Sequence, residues 1–144
     1  MILLDANILL YAWNSADPRH QEAKQWVEGL FLSEEWIGIP WPTAWAFLRV
    51  STNARVFPRP LSAREALEIV GGWMELPNVA FVQPQTRHAE ILRSLVISAQ
   101  ATGPLLSDAV LAALAIEQGA TLASTDHDFS RFPGLAWTNP LAAS

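Results

Sequence analysis

The chain has 144 residues, 51% of them hydrophobic and 16% charged, a length that suits one domain with one core and a composition that is globular rather than disordered. It contains no cysteine, which excludes disulfides, thiol catalysis and cysteine-ligated zinc and is compatible with a reducing cytoplasm. The formal charge of −5 argues against a protein that grips nucleic acid by a strong positive field, although divalent cations held at acidic groups reverse the local potential.

In chain order, Ile2-Leu3-Leu4 is a short apolar run ending at Asp5, the pattern of a buried parallel strand. Ala6 to Trp13 is a short helix. Asp17-Pro18 is a helix start, with Asp17 as cap and Pro18 in the first helical position; Ala23, Trp26, Val27, Leu30 and Phe31 follow at helical spacing. Trp36 to Pro40 is a second strand, Pro42 to Ser51 a helix and Phe57 to Pro60 a loop. Ser62-Ala63-Arg64-Glu65 is a capping box that opens a helix reaching about Trp73. Asn78 to Val82 is a third strand, Thr86 to Gln100 a helix, and Ser107 to Gln118 an apolar helix with Gly119 at a left-handed C-cap. Thr121 to Ser124 is a fourth strand, Asp126 to Phe132 a helical turn and Leu135 to Thr138 a fifth strand.

Short apolar strands separated by helices predict an α/β fold with a mostly parallel sheet of four to five strands. No repeat or linker interrupts the pattern, so a single domain over residues 1–144 is expected. No secretory signal is evident, and the longest apolar stretch, Ala109 to Ile116, is far short of the roughly 20 residues a membrane-spanning helix needs. A soluble, cytoplasmic protein without a membrane partner is therefore expected. The seven tryptophans are read as packing in the core and at partner interfaces rather than as base-stacking groups.

In parallel sheets, ligands bind outside the carboxyl ends of the strands at a switch in strand order. Of the aspartates, Asp17 has a capping role, while the others fall where that rule points. Asp5 closes the first strand, Asp126 and Asp128 follow the fourth, and Asp108 opens the helix before it. Taken singly, Asp108, Asp126 and Asp128 read as helix-capping or dipole-complementing groups. Asp5 directly follows a buried strand, so several donors or a cation must meet it. Taken jointly, converging carboxylates repel one another and raise each other's pKa unless a cation binds. Mg²⁺ or Mn²⁺ suits oxygen ligands, and such a site serves phosphodiester cleavage by a metal-activated water. His20, His88 and His127 lack a zinc-ligand spacing and read as surface residues. Arg49, Arg55, Arg59 and Arg131 are candidates for phosphate contacts, with surface salt bridges the plainer expectation.

Three segments together resemble the PIN domain, and more narrowly the VapC toxins of bacterial type II toxin–antitoxin systems: Leu3-Leu4-Asp5-Ala6-Asn7, Ser107-Asp108-Ala109, and Ser124-Thr125-Asp126-His127-Asp128-Phe129. Phe47-Leu48-Arg49-Val50-Ser51-Thr52-Asn53 and Phe132-Pro133-Gly134-Leu135 resemble one VapC subgroup. The resemblance covers essentially the whole chain. It implies a three-layer α/β/α sandwich and a Mg²⁺- or Mn²⁺-dependent endoribonuclease acting on RNA. Asp5 and Asp108 would be principal metal ligands, Asp126 would complete the cluster, and Asp128 would be a nearby ligand or supporting acid. Asn7 would support Asp5, Thr125 would line the site, and Ser107 would cap a helix, orient a carboxylate or contact phosphate. The resemblance further implies a homodimer and a VapB-like antitoxin. Many PIN domains carry a glutamate on the helix after the second strand, whereas residues 42–51 contain no acid and Glu34 and Glu35 precede that strand; this leaves open whether one or two ions bind. Two other functions are open to the same residues. One is a degenerate binding module without catalysis. The other is an aspartate-nucleophile phosphatase built on Asp5, which would ordinarily want an acid at Asn7 and a lysine downstream, where only Lys24 exists.

Overall fold

Successive residues of a strand point to opposite faces of its sheet. On β1 (Ile2–Leu4) this sends Leu4 into one apolar cluster and Leu3 into another. The computed structural model describes residues 1–141 and is organised around that division. Leu4 joins Ile37 and Ile39 of β2 (Ile37–Pro40) in a core covered by four helices: α1 (Ala6–Trp13), α2 (His20–Phe31), α3 (Trp41–Ser51) and α4 (Ala63–Met74). Leu3 joins Val82 of β3 (Val79–Val82) and Leu122 of β4 (Thr121–Ala123) in a core covered by α5 (His88–Ala99) and α6 (Pro104–Gln118). The result is the expected α/β/α sandwich.

All strand pairings are parallel, and the sheet order is β3-β2-β1-β4-β5, with β5 spanning Ala136–Thr138. The segment leaving β1 runs into the four-helix layer. The segment leaving β4 turns through a 3₁₀ helix, His127–Arg131, whose Phe129 packs into the opposite core. The chain therefore diverges at the carboxyl ends of two adjacent strands and opens a crevice between them.

Packing explains most of the tryptophan use. Trp13, Phe47 and Trp73 meet edge to face with centroids 4.8–5.9 Å apart, a geometry that adds about 0.5–1.5 kcal/mol per pair beyond area burial. Trp36 and Trp45 are the exceptions, at 60% and 61% exposure.

The local signals place the elements closely, with four corrections. The Ser62–Glu65 capping box and the left-handed Gly119 cap (φ 64°) form as expected. However, α6 begins at Pro104, three residues before Ser107. Gly103 takes a backbone conformation with φ 58° that opens the helix, and Pro104 has its φ already fixed for the first turn. Helix α2 begins at His20 rather than Pro18, because the Asp17 carboxylate accepts from the Arg19 backbone N–H (2.8 Å) and closes a turn ahead of the helix. His88, in the first turn of α5, is buried rather than on the surface. Glu117 is not merely solvated, since it accepts from the backbone N–H groups of Gln85 (2.9 Å) and Arg87 (2.8 Å) and ties α6 to the start of α5.

Candidate active site

The β1–β4 register pairs Leu4 with Ala123, so the next residue on each strand, Asp5 and Ser124, lie side by side. The Asp5 backbone N–H continues the ladder to the Ala123 carbonyl (3.0 Å). Its carboxylate meets the donors expected for a partly buried acid. Oδ1 accepts from the Ala6 N–H at 2.7 Å, which caps α1, and Oδ2 accepts from the Ser124 hydroxyl at 2.7 Å. The Ser124 oxygen in turn accepts from Asn7 Nδ2 (3.3 Å) and from the Asp126 N–H (3.0 Å). One donor and two acceptor positions are all that a hydroxyl offers, so this buried serine is fully used in binding three parts of the site together.

The other carboxylates approach from two directions. Asp108 lies in the second turn of α6, beyond the capping positions that a start at Ser107 would have given it. Asp126 does cap the 3₁₀ helix, its Oδ1 accepting from the Asp128 N–H at 2.9 Å. Asp108, Asp126 and Asp128 each present an oxygen within 4.8 Å of the others'. Asp5 stands outside that trio, yet its charge acts on Asp108. Partial burial, then the charges of Asp126, Asp5 and Asp128, push the Asp108 carboxyl up to about 6. Burial also raises the Asp5 pKa, opposed by its hydrogen bonds to Ser124 and Ala6.

Among the supporting residues, Asn7 reaches Asp5 only through Ser124. Thr125 lines the crevice and meets the Tyr11 hydroxyl at 3.5 Å. Ser107 is exposed and its hydroxyl makes no hydrogen bond among the described residues. Thr43 stands on α3 and donates to the Leu4 carbonyl (2.8 Å), securing the end of β1. Glu34 and Glu35 precede β2 and lie at its amino end, away from the crevice. His127 is exposed and packs edge-on against Trp137 at 5.5 Å. Among the described residues the one ion pair is Arg19–Asp17 (3.0 Å), so the salt bridges expected of Arg49, Arg55, Arg59 and Arg131 do not form. Ser124 and Tyr11 are the residues that sequence reasoning missed. Ser124 closes β4 as Asp5 follows β1, a parallel that the register alone makes meaningful.

The donor set suits a hard divalent cation. It is made of carboxylate oxygens, and Asp108, raised first by burial and then by the charges of Asp126, Asp5 and Asp128, stands among acidic neighbours whose mutual repulsion a cation would relieve. Two oxygens bound to one Mg²⁺ are at most about 4.2 Å apart, given bond lengths near 2.1 Å, so oxygens within 4.8 Å lie a small side-chain rotation from a ligating arrangement. Asn7 Oδ1 is buried without a hydrogen-bond partner on the same wall, and each Asp5 oxygen retains a lone pair beyond the bonds described.

Comparison with known proteins agrees with this construction. The PIN domain family model matches residues 2–135. The chain is 38% identical to Ribonuclease VapC37 of Mycobacterium tuberculosis over 142 residues, covering 99% of both chains. It is also 38% identical to Ribonuclease VapC33 of the same organism over 141 residues, covering 98% of this chain and 99% of the relative. Among solved structures, the fold is similar to VapBC-1 from nontypeable Haemophilus influenzae (TM-score 0.70, 18% identity, 97% of this chain and 98% of that one). It is also similar to VapBC2 from Rickettsia felis bound to a promoter DNA fragment (TM-score 0.69, 21% identity, 96% and 98%). With residues 2–135 matched and relatives aligned nearly end to end, the chain belongs to the PIN domain family, in the group that includes the VapC proteins.

Proposed function

We propose that this chain is a divalent-metal-dependent endoribonuclease, Mg²⁺ or Mn²⁺ being the ion, and that it acts as the toxin of a VapBC-type pair through a single domain over residues 1–144. The observation that carries the reading is the convergence of Asp108, Asp126 and Asp128 oxygens within 4.8 Å, beside Asp5, in the crevice at the carboxyl ends of β1 and β4. Relatives at 38% identity over nearly the full length are named ribonucleases.

In this reading Asp108, Asp126 and Asp128 hold the ion, with Asp5, joined to the Asp126 backbone through Ser124, as a further ligand beside them. When bound, a divalent cation activates water and offsets charge developing on the phosphate. The rest of the chemistry belongs to the scaffold. Ser124 fixes the Asp5 carboxylate and the backbone that carries Asp126. Asp126 orients the Asp128 segment through its N–H. The α6 backbone sets Asp108 across the crevice. The absence of an acid on α3 favours a single resident ion held by these four carboxylates. An Asp5 nucleophile is a weaker alternative, because the position where such enzymes ordinarily carry a second acid is Asn7 and the only lysine is Lys24. A VapB-like antitoxin is the proposed protein partner, with a homodimer as the assembly; the exposed apolar side chains of Leu32, Trp36, Leu67 and Ile97 suit such interfaces. Among the described residues, no helix is long and apolar enough to cross a membrane.

The test is purified protein, freed of antitoxin, incubated with structured RNA. Cleavage that needs Mg²⁺ or Mn²⁺ and is lost in Asp108→Asn supports the proposal. RNA binding without metal-dependent cleavage supports a binding module instead.

A further inference from the structure

Asn7 and Tyr11 are one helical turn apart on α1 and therefore share a face. That face lies along the crevice, with Asn7 Nδ2 on the Ser124 hydroxyl (3.3 Å) and the Tyr11 hydroxyl on Thr125 Oγ1 (3.5 Å). At the outer end of this ridge the Arg19 guanidinium lies 3.7 Å from the Tyr11 ring centroid. Its Nε and Nη2 donate to the two Asp17 oxygens at 3.0 and 3.1 Å. The start of α2 is pinned to α1 by His20, whose Nδ1 meets the Tyr11 carbonyl at 2.9 Å. Arg19 is thus a cation tied by contacts to the rim of the acidic crevice without pairing with any of its four aspartates.

We propose that Arg19 binds a backbone phosphate of the RNA adjacent to the one being cut. The proposal rests on the ribonuclease reading above and adds a residue to it. A polyanion entering an acidic crevice needs a cation at the rim as well as within. Asp17 takes Nε and one Nη2 proton, leaving Nη1 and the other Nη2 proton outside that pair, and a guanidinium fork of that shape matches phosphate oxygens. The side chain is 49% exposed, so the fork is accessible. Being stacked and paired already, it loses little freedom on binding. Arg19 contacts Tyr11 and Asp17 and none of the acids that would hold the ion, so the phosphate assigned to it is one beside the scissile phosphate rather than the scissile phosphate itself.

The test is steady-state cleavage of a labelled RNA that the wild type cuts, across a KCl series, for Arg19→Ala, Arg19→Lys and Tyr11→Phe. In Arg19→Ala, KM rises about tenfold with kcat nearly unchanged, and the slope of log(kcat/KM) against log[KCl] shrinks by about 0.7, the value of one single-strand phosphate contact. Arg19→Lys keeps most of the slope, and Tyr11→Phe, which retains the ring under Arg19, keeps all of it. An Arg19→Ala slope equal to that of the wild type, or a loss confined to kcat, overturns the proposal alone. Wild-type protein that neither binds nor cuts RNA overturns the ribonuclease reading and this proposal with it.

Discussion

The Ser124 hydroxyl donates to the Asp5 carboxylate across the β1–β4 seam at 2.7 Å, joining residues 119 positions apart in the chain. The same oxygen accepts from Asn7 and from the Asp126 backbone. Replacing Ser124 with alanine therefore strands three polar groups. Leaving a buried donor or acceptor unpaired costs about 1–3 kcal/mol, and loosening a group that orients a metal ligand costs about 10–100-fold in metal affinity or activity. Ser124→Ala is expected to lose both, measured by denaturant unfolding and by RNA cleavage.

The carboxylates should separate by role. Asp108→Asn, Asp126→Asn and Asp128→Asn each remove an oxygen from the close trio and are expected to lower cleavage by on the order of 100-fold or more. Asp5→Asn should do likewise while also disturbing the Ser124 contact and the α1 cap. Metal titration followed by calorimetry distinguishes them: weakened metal binding in all four variants fits the proposed ligand set, and wild-type affinity in any one removes that residue from it.

Stability of the metal-free protein should depend on pH with a definite sign. Asp108 is raised from 3.8 to about 6, chiefly by burial and then by its acidic neighbours. An acid whose pKa is higher in the folded chain holds more protons when folded, so stability falls as pH rises from about 4 through about 6 and stays low above. Asp5, raised in the same direction, adds to the fall. Asp108→Asn should flatten the profile, gaining about 1 kcal/mol at pH 7.5 after allowance for solvent screening. Adding Mg²⁺ or Mn²⁺ to the wild type at pH 7.5 should raise the melting temperature, since a ligand at a hundredfold its Kd contributes about 2.7 kcal/mol. A melting temperature indifferent to both ions between pH 4 and 8 would contradict this.

Gly38 lies in β2 where a Cβ would approach Leu3 Cδ1 to 2.7 Å, Val82 Cγ2 to 3.0 Å and Met1 Sδ to 3.1 Å. Met1 is exposed and can move aside, but Leu3 and Val82 are buried and can shift only into a packed core. Gly38→Ala is expected to destabilise by about 1–3 kcal/mol through overpacking, read as a lower denaturation midpoint at unchanged slope.

The sequence by itself determined the element order, the layered α/β architecture and the identity of the acids at the strand ends. Those features are written in local patterns: Ile2-Leu3-Leu4 before Asp5, the Ser62–Glu65 capping box, and Gly119 after an apolar helical run. Such patterns report the period of a strand or helix, which neighbouring residues fix among themselves. The tertiary structure decided which acids touch. It put Asp128 with Asp108 and Asp126 in the close trio and set Asp5 against Ser124 on the adjoining wall. It moved the start of α6 to Pro104, which took Asp108 out of a capping position, and it buried His88. These outcomes depend on strand register and on helices crossing from distant parts of the chain. Residues 119 apart meet only because Leu4 pairs with Ala123, and no local periodicity encodes that pairing.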